Sequence, residues 1–149
     1  MGYYMDVREQ SFFLANSDKD AALAAIKAMY DAPDASENMS GSTWHAGQIT
    51  ERHFGWTTTS EVLNAETLED ALVAWRWGPA EWCDHEQGIT QLDFTGQKIG
   101  DDWALFKAIA PFVKNGSYIA MTGEDGAIWR WYFKNGQCIE QEGVVTWQD

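Results

Sequence analysis

The sequence predicts an α+β domain: a mostly antiparallel sheet of five or six strands, with three helices packed mainly on one face. Three observations predict it. Residues 116–147, GSYIAMTGEDGAIWRWYFKNGQCIEQEGVVTW, read as three short strands joined by two tight turns. Three stretches upstream of them carry apolar residues at helical spacing. Hydrophobic residues make up 45% of the chain and charged residues 22%, which is globular composition and not disordered composition. At 149 residues the chain fits one domain, 1–149, and can bury a core without a disulfide or a metal.

Residues 3–14 begin as a half-buried strand. Tyr3, Met5 and Val7 point one way, and Tyr4, Asp6, Arg8 and Gln10 the other. Phe12, Phe13 and Leu14 break the alternation and tuck under the first helix. Asn16 or Ser17 caps that helix, and Asp18 and Asp20 occupy a first turn where the helix dipole favours acids. Its core stripe is Ala22, Leu23, Ile26, Met29 and Tyr30. Residues 31–47, DAPDASENMSGSTWHAG, show neither period and read as a long irregular loop leaving the helix at Pro33. Such a loop inside a compact domain is either functional or disordered, which makes its Trp44 a candidate binding residue.

Short strands are expected at 48–50 and 53–57, with Phe54 and Trp56 on one face, then a helical turn at 60–63. The second helix is capped by Asn64 or Thr67, runs through Leu68, Ala71, Leu72 and Trp75, and stops at Gly78-Pro79. Residues 79–88 form a polar acidic connection. A strand over 89–99 turns Leu92 and Phe94 inward. Gly100-Asp101-Asp102 opens the third helix, whose stripe is Leu105, Phe106, Ile109, Phe112 and Val113, and Pro111 bends or ends it.

In the final meander, residues 117–122 pair with 127–133 across Gly123-Glu124-Asp125-Gly126, and 127–133 pair with 137–142 across Lys134-Asn135-Gly136. Asn-Gly between aromatic-rich runs is a strong short-range hairpin signal. Trp129, Trp131 and Phe133 share one face of the middle strand; Ile128, Arg130 and Tyr132 share the other. With helices on one face only, the face left open is the expected working surface.

Net charge is −13, with −8 up to Trp75 and −5 after it, so the acidity is spread along the chain. Direct binding to a nucleic-acid backbone would work against that repulsion. An acidic surface suits solubility, a basic partner protein, or mimicry of nucleic acid. Two cysteines, Cys83 and Cys138, are too few for a disulfide framework, and free thiols in a cytoplasmic protein are the simpler reading. The first residues lack a signal-peptide pattern, and no apolar run approaches a membrane span. The expectation is a cytoplasmic protein with no membrane contact.

Four groups of residues are weighed for chemistry. His45, His53, Cys83 and His85 are ligand types that zinc takes, but no paired spacing joins them, so no metal is expected. Glu124 with Asp125 fits a turn, and Asp101 with Asp102 fits a helix cap, without acid–base work. No nucleophile elbow or phosphate-binding glycine loop occurs, so neither a catalytic set nor a cofactor is expected. Last come the aromatics. Arg76 and Arg130 each lie between two tryptophans in W-R-W, which suits a binding patch through cation–π or bidentate contacts. Arg76, Trp77, Trp82, Arg130, Tyr132 and Trp44 are therefore the candidate binding residues. The competing reading puts each Arg on an outer face and its Trp neighbours inside.

The stretches FGWTTTSEVLNAETLEDALVAWRW, LDFTGQKIGDD and LFKAIAPFVKNGSYIAMTGEDGAIWRWYF, with the Gly-Tyr-Tyr start, carry a resemblance. Over residues 2–133 the chain resembles a family of small proteins, without an established activity, found in bacteriophages and in bacteria carrying prophages. That resemblance implies a phage context but assigns no residue a role. The reading that follows is a non-catalytic acidic binding protein, phage-encoded, that modulates or inhibits a host protein with a basic surface, such as a defence or nucleic-acid-handling factor. The alternative is a binder of a small or nucleotide-like planar ligand in a Trp/Arg pocket, and a small enzyme comes third. An uncovered Trp-rich face would call for a partner or a second copy.

Overall fold

Half-buried alternation at the start of the chain makes β1 (Met5–Ser11) in the computed structural model, which describes residues 2–79 and 87–148. Leu14 and Ala15 form a two-residue strand, β2 (Leu14–Ala15). Asn16 and Ser17 then fall in a 3-10 turn, and Asp18 takes the N-cap position of α1 (Lys19–Ala28). Ala22 and Ile26 are the fully buried residues of its stripe.

Residues 31–47 are not one irregular loop. After a 3-10 turn at Ala35–Asn38, the strands β3 (Gly41–His45) and β4 (Gln48–His53) pair as an antiparallel hairpin. Its turn residues Ala46 and Gly47 have φ of 52° and 80°, the left-handed pair that a two-residue hairpin turn requires. Most side chains of this hairpin face solvent on both sides, so no face is buried and no apolar alternation marks it in the sequence.

A short helix, α2 (Thr59–Leu63), precedes α3 (Leu68–Ala74). Thr67 is the cap of α3: its Oγ1 accepts the Asp70 N–H at 3.1 Å. The helix ends at Ala74 and the chain turns away from it at Arg76, which holds φ of 70°, and not at Gly78-Pro79, which belongs to β5 (Trp77–Pro79). The strand expected over 89–99 is two pieces. β6 (Gly88–Ile89) pairs with β2, and β7 (Leu92–Phe94) pairs with β5. α4 (Asp102–Ile109) follows, and Pro111 converts its end to a 3-10 turn over Ala110–Phe112.

The meander forms as the turn residues direct. β8 (Tyr118–Gly123), β9 (Ile128–Lys134) and β10 (Gln137–Glu142) join β1 in one antiparallel sheet of order β1-β8-β9-β10. Gly126, Asn135 and Gly136 take φ of 85°, 54° and 78° at the two turns. The class is α+β as expected. The described residues hold one helix more than the three expected, and the extra strands lie in small two-stranded pairs beside the main sheet.

One face of the main sheet is the core. Ile119, Met121, Trp131 and Phe133 are buried there with the inward sides of α1 and α4. The ring of Phe106 lies 5.0 Å from Trp131 and 5.1 Å from Trp77, and Trp77 meets Trp131 edge-on at 6.0 Å. Tilted and edge-to-face contacts of this kind add to the large area each ring buries. Among the described residues no helix is long and apolar enough to cross a membrane.

Candidate functional site

Strand alternation decides which side of the sheet each residue serves. In β8 and β9, Tyr118 pairs with Tyr132, Ala120 with Arg130 and Thr122 with Ile128, all on the face away from the helices. Ile139 and Gln141 of β10 continue that face opposite Tyr132 and Arg130. Arg130 sits at its centre. Its Nε donates to Gln141 Oε1 at 2.7 Å, and its Cζ lies 4.5 Å from the Tyr132 ring centroid and 5.5 Å from that of Tyr118. Ala120 opposite is small enough to leave a concavity of about 690 Å³ bordered by Arg8, Glu9, Ile128 and Gln141. A guanidinium laid across tyrosines with apolar Ile139 and Ile128 nearby is the side-chain mixture found at centres of protein interfaces.

The other W-R-W arginine has a different task. Only 14% of the Arg76 side chain is exposed, and its Nη2 lies 3.2 Å from Oδ1 of the fully buried Asp102. Nη1 donates to the Lys98 carbonyl at 2.7 Å, and the guanidinium stacks 5.3 Å from the Phe94 ring. Trp77 is buried and donates its Nε1–H to the same Asp102 oxygen at 2.8 Å, while the Gly100 N–H donates to Oδ2 at 2.8 Å. Burial pushes the Arg76 pKa down, and Asp102 pulls it back up. Gly96 and Gly100 leave no room for a side chain: a Cβ at either would stand 2.7 Å or 2.9 Å from a guanidinium nitrogen. Arg76 and Trp77 are thus part of a buried ionic joint between α3 and α4, outside the exposed patch for which the sequence nominated them.

The remaining candidates scatter. Trp44 stands on the exposed hairpin, and Tyr132 joins Arg130 on the open face. Trp82, Cys83 and His85 lie outside the described residues. His45 and His53 sit at opposite ends of the β3–β4 hairpin, and His53 Nδ1 lies 3.0 Å from the Phe54 carbonyl. Among the described residues no three His, Cys, Asp or Glu side chains gather as a metal site. Cys138 is buried, and desolvation with Glu140 beside it pushes its thiol up to about 12, which makes it a poor nucleophile.

The two acids expected to cap α4 do other work, since Asp101 at the N-cap position makes no side-chain cap bond. Besides the Arg76 joint at Asp102, Asp101 Oδ2 accepts from the Ser40 N–H and hydroxyl at 3.0 Å each and from the Gly55 N–H at 2.6 Å. It ties the two ends of the hairpin segment to α4. No sequence signal separates these roles from helix capping, since apart from Gly100 the partners, Ser40, Gly55, Arg76 and Trp77, lie far away in the chain.

A second concavity, about 530 Å³, opens between α4, β10 and the segment after α1; Phe54, Asp101, Trp103, Lys107, Trp131 and Glu140 help line it. Lys107 Nζ lies 4.7 Å over the Trp103 ring, and Trp131 Nε1–H donates to Glu140 Oε1 at 3.0 Å. Compared with protein-family models, with curated proteins and with solved structures, the chain matches none of them.

Proposed function

We propose that the chain is a non-catalytic acidic binding protein, phage-encoded and working in the host cytoplasm, that modulates a host protein with a basic surface. The observation that carries this reading is the open face of the main sheet. Tyr118, Arg130, Tyr132 and Ile139 stand together on it, and no helix among the described residues lies over them. A net charge of −13 around such a patch speeds and orients approach of a basic partner, while the patch supplies the desolvated contact. The phage context rests on the sequence resemblance alone.

The test is affinity capture from host lysate with two baits, the native chain and a Tyr132→Asp, Ile139→Asp variant. The reading expects one stoichiometric host protein, released by raised salt and lost with the variant while its circular dichroism stays native. Absence of a stoichiometric partner, with phage growth on defended hosts unchanged by deletion, would overturn it.

The concavity beside Trp103 and Lys107 favours a second reading, a planar small ligand held by indole and ammonium. Metabolites that quench tryptophan fluorescence in the native chain but not after Trp103→Phe would support it over a protein partner.

A further inference from the structure

The two edges of the main sheet are treated differently. The β1 edge is closed. Met5 N–H donates to the Gln97 carbonyl at 3.0 Å, Ile99 N–H donates to the Tyr3 carbonyl at 2.7 Å, and the Gln10 amide bonds Leu92 in both directions at 2.7 Å and 3.0 Å. The β10 edge is bare. Gly143 N–H donates to the Ile128 carbonyl at 2.9 Å, and that bond sets the phase of the ladder. Gln137, Ile139 and Gln141 turn their backbone groups toward β9, so Cys138, Glu140 and Glu142 turn theirs away from the sheet. Among the described residues only the Cys138 carbonyl meets a partner there, the Trp103 Nε1–H at 3.3 Å.

What flanks this edge is not neutral. Glu140 and Glu142 leave β10 on the helix side, bordering a concavity of about 470 Å³ that Tyr3 and Trp129 also line. Ile139 leaves on the open face. Past β10 the chain continues through Val144 and Trp147, which are 85% and 88% exposed. An extended row of unpaired amides, with acids on one side and Ile139 between two glutamines on the other, is a template for one more strand.

We propose that β10 is a strand-addition site for an extended basic segment of a partner protein. Lys or Arg at alternate positions would stand beside Glu140 and Glu142, and apolar or β-branched residues between them would lie beside Ile139 on the open face. This rests on the binding-protein reading above and says how the basic partner is held. A second copy does not fit the edge. Two β10 strands paired antiparallel bring the glutamates of both copies onto one sheet, where like charges oppose pairing.

The probe is a synthetic peptide alternating Lys with Val and Thr, and its control has the same composition with the lysines clustered. Binding to the full chain is followed by titration and by amide exchange at Glu140 and Glu142. The expected result is slowed exchange at those two amides with the alternating peptide, and binding at least about tenfold weaker for the clustered one. Glu142→Pro deletes an amide that faces away from β9, a place where an edge strand tolerates proline, and should weaken binding about tenfold. Glu142→Gln, which keeps that amide, should weaken it less.

Equal binding of both peptides, native affinity in Glu142→Pro, or β10 amides already protected by self-association would each overturn strand addition. A host partner lost with Tyr132→Asp, Ile139→Asp but kept by Glu142→Pro overturns strand addition and leaves the binding-protein reading standing. A chain that takes the alternating peptide yet captures no host protein overturns that reading alone.

Discussion

Arg76 and Asp102 meet at 3.2 Å beneath the surface, and the aspartate carries four hydrogen-bond contacts: two from Arg76, one from Trp77 and one from Gly100. Removing one member of a buried pair leaves an uncompensated charge, which costs about 3–5 kcal/mol. Asp102→Ala should therefore lower stability by about that amount in urea unfolding. Arg130→Ala, on the open face, should lower it by about 1 kcal/mol or less. An equal loss from Arg130→Ala would contradict the placing of Arg130 on an open face.

Trp131 is the ring on which the core closes, fully buried against Phe106 and Trp77. Its truncation to Ala should cost about 3–5 kcal/mol. A Trp131→Phe variant should recover most of that in the same unfolding experiment.

Gly126 isolates a purely conformational cost. A Cβ there meets nothing within 4 Å, yet φ is 85°. Gly126→Ala should destabilise by about 1 kcal/mol through backbone strain alone. A neutral result would mean the Glu124–Gly126 turn relaxes to another type.

Alkaline pH should weaken the fold. Desolvation raises Tyr30 from 10.0 to about 12 and Cys138 from 9.0 to about 12. Between about pH 9 and 12 the unfolded chain therefore holds fewer protons than the folded one, and unfolding free energy falls as pH rises. Below that range both groups are protonated in either state and contribute no slope. The Tyr30 hydroxyl is buried without a hydrogen bond of normal geometry, although Thr57 and Trp75 lie close enough to temper its shift. Tyr30→Phe should thus be neutral or stabilising at pH 7 and flatten the alkaline slope, as thermal melts at a series of pH values would show.

Local chemistry made the meander and α3 legible. Asn135-Gly136 and Gly126 supply the left-handed residues their turns need, and Thr67 caps the helix it precedes. The hairpin around Ala46 was legible only at 48–50, which falls in β4, while the strand expected at 53–57 is, past His53, a turn in which Trp56 holds φ of 62°. The hairpin's strands bury neither face, so no alternation distinguishes them from a loop, and Ala is an unusual residue at positive φ. The open face was legible as Arg130 and Tyr132, because alternation in β9 assigns sides without knowing any partner. Arg76 was not, because its strained turn and its aspartate 26 residues on are tertiary facts. The bare edge at β10 likewise follows from strand order, and adjacency in sequence says nothing of which strand lies outermost.

Docking of a host protein on the open sheet face, as proposed above, can be tested by site-directed photo-crosslinking in host cells. A photoreactive residue would replace Tyr132 or Ile139 on that face, with exposed Val73 of α3 as the control. Positions 132 and 139 should each give one discrete adduct with the same host protein, and position 73 none. No adduct from either sheet position, or the same adduct from position 73, would contradict that docking.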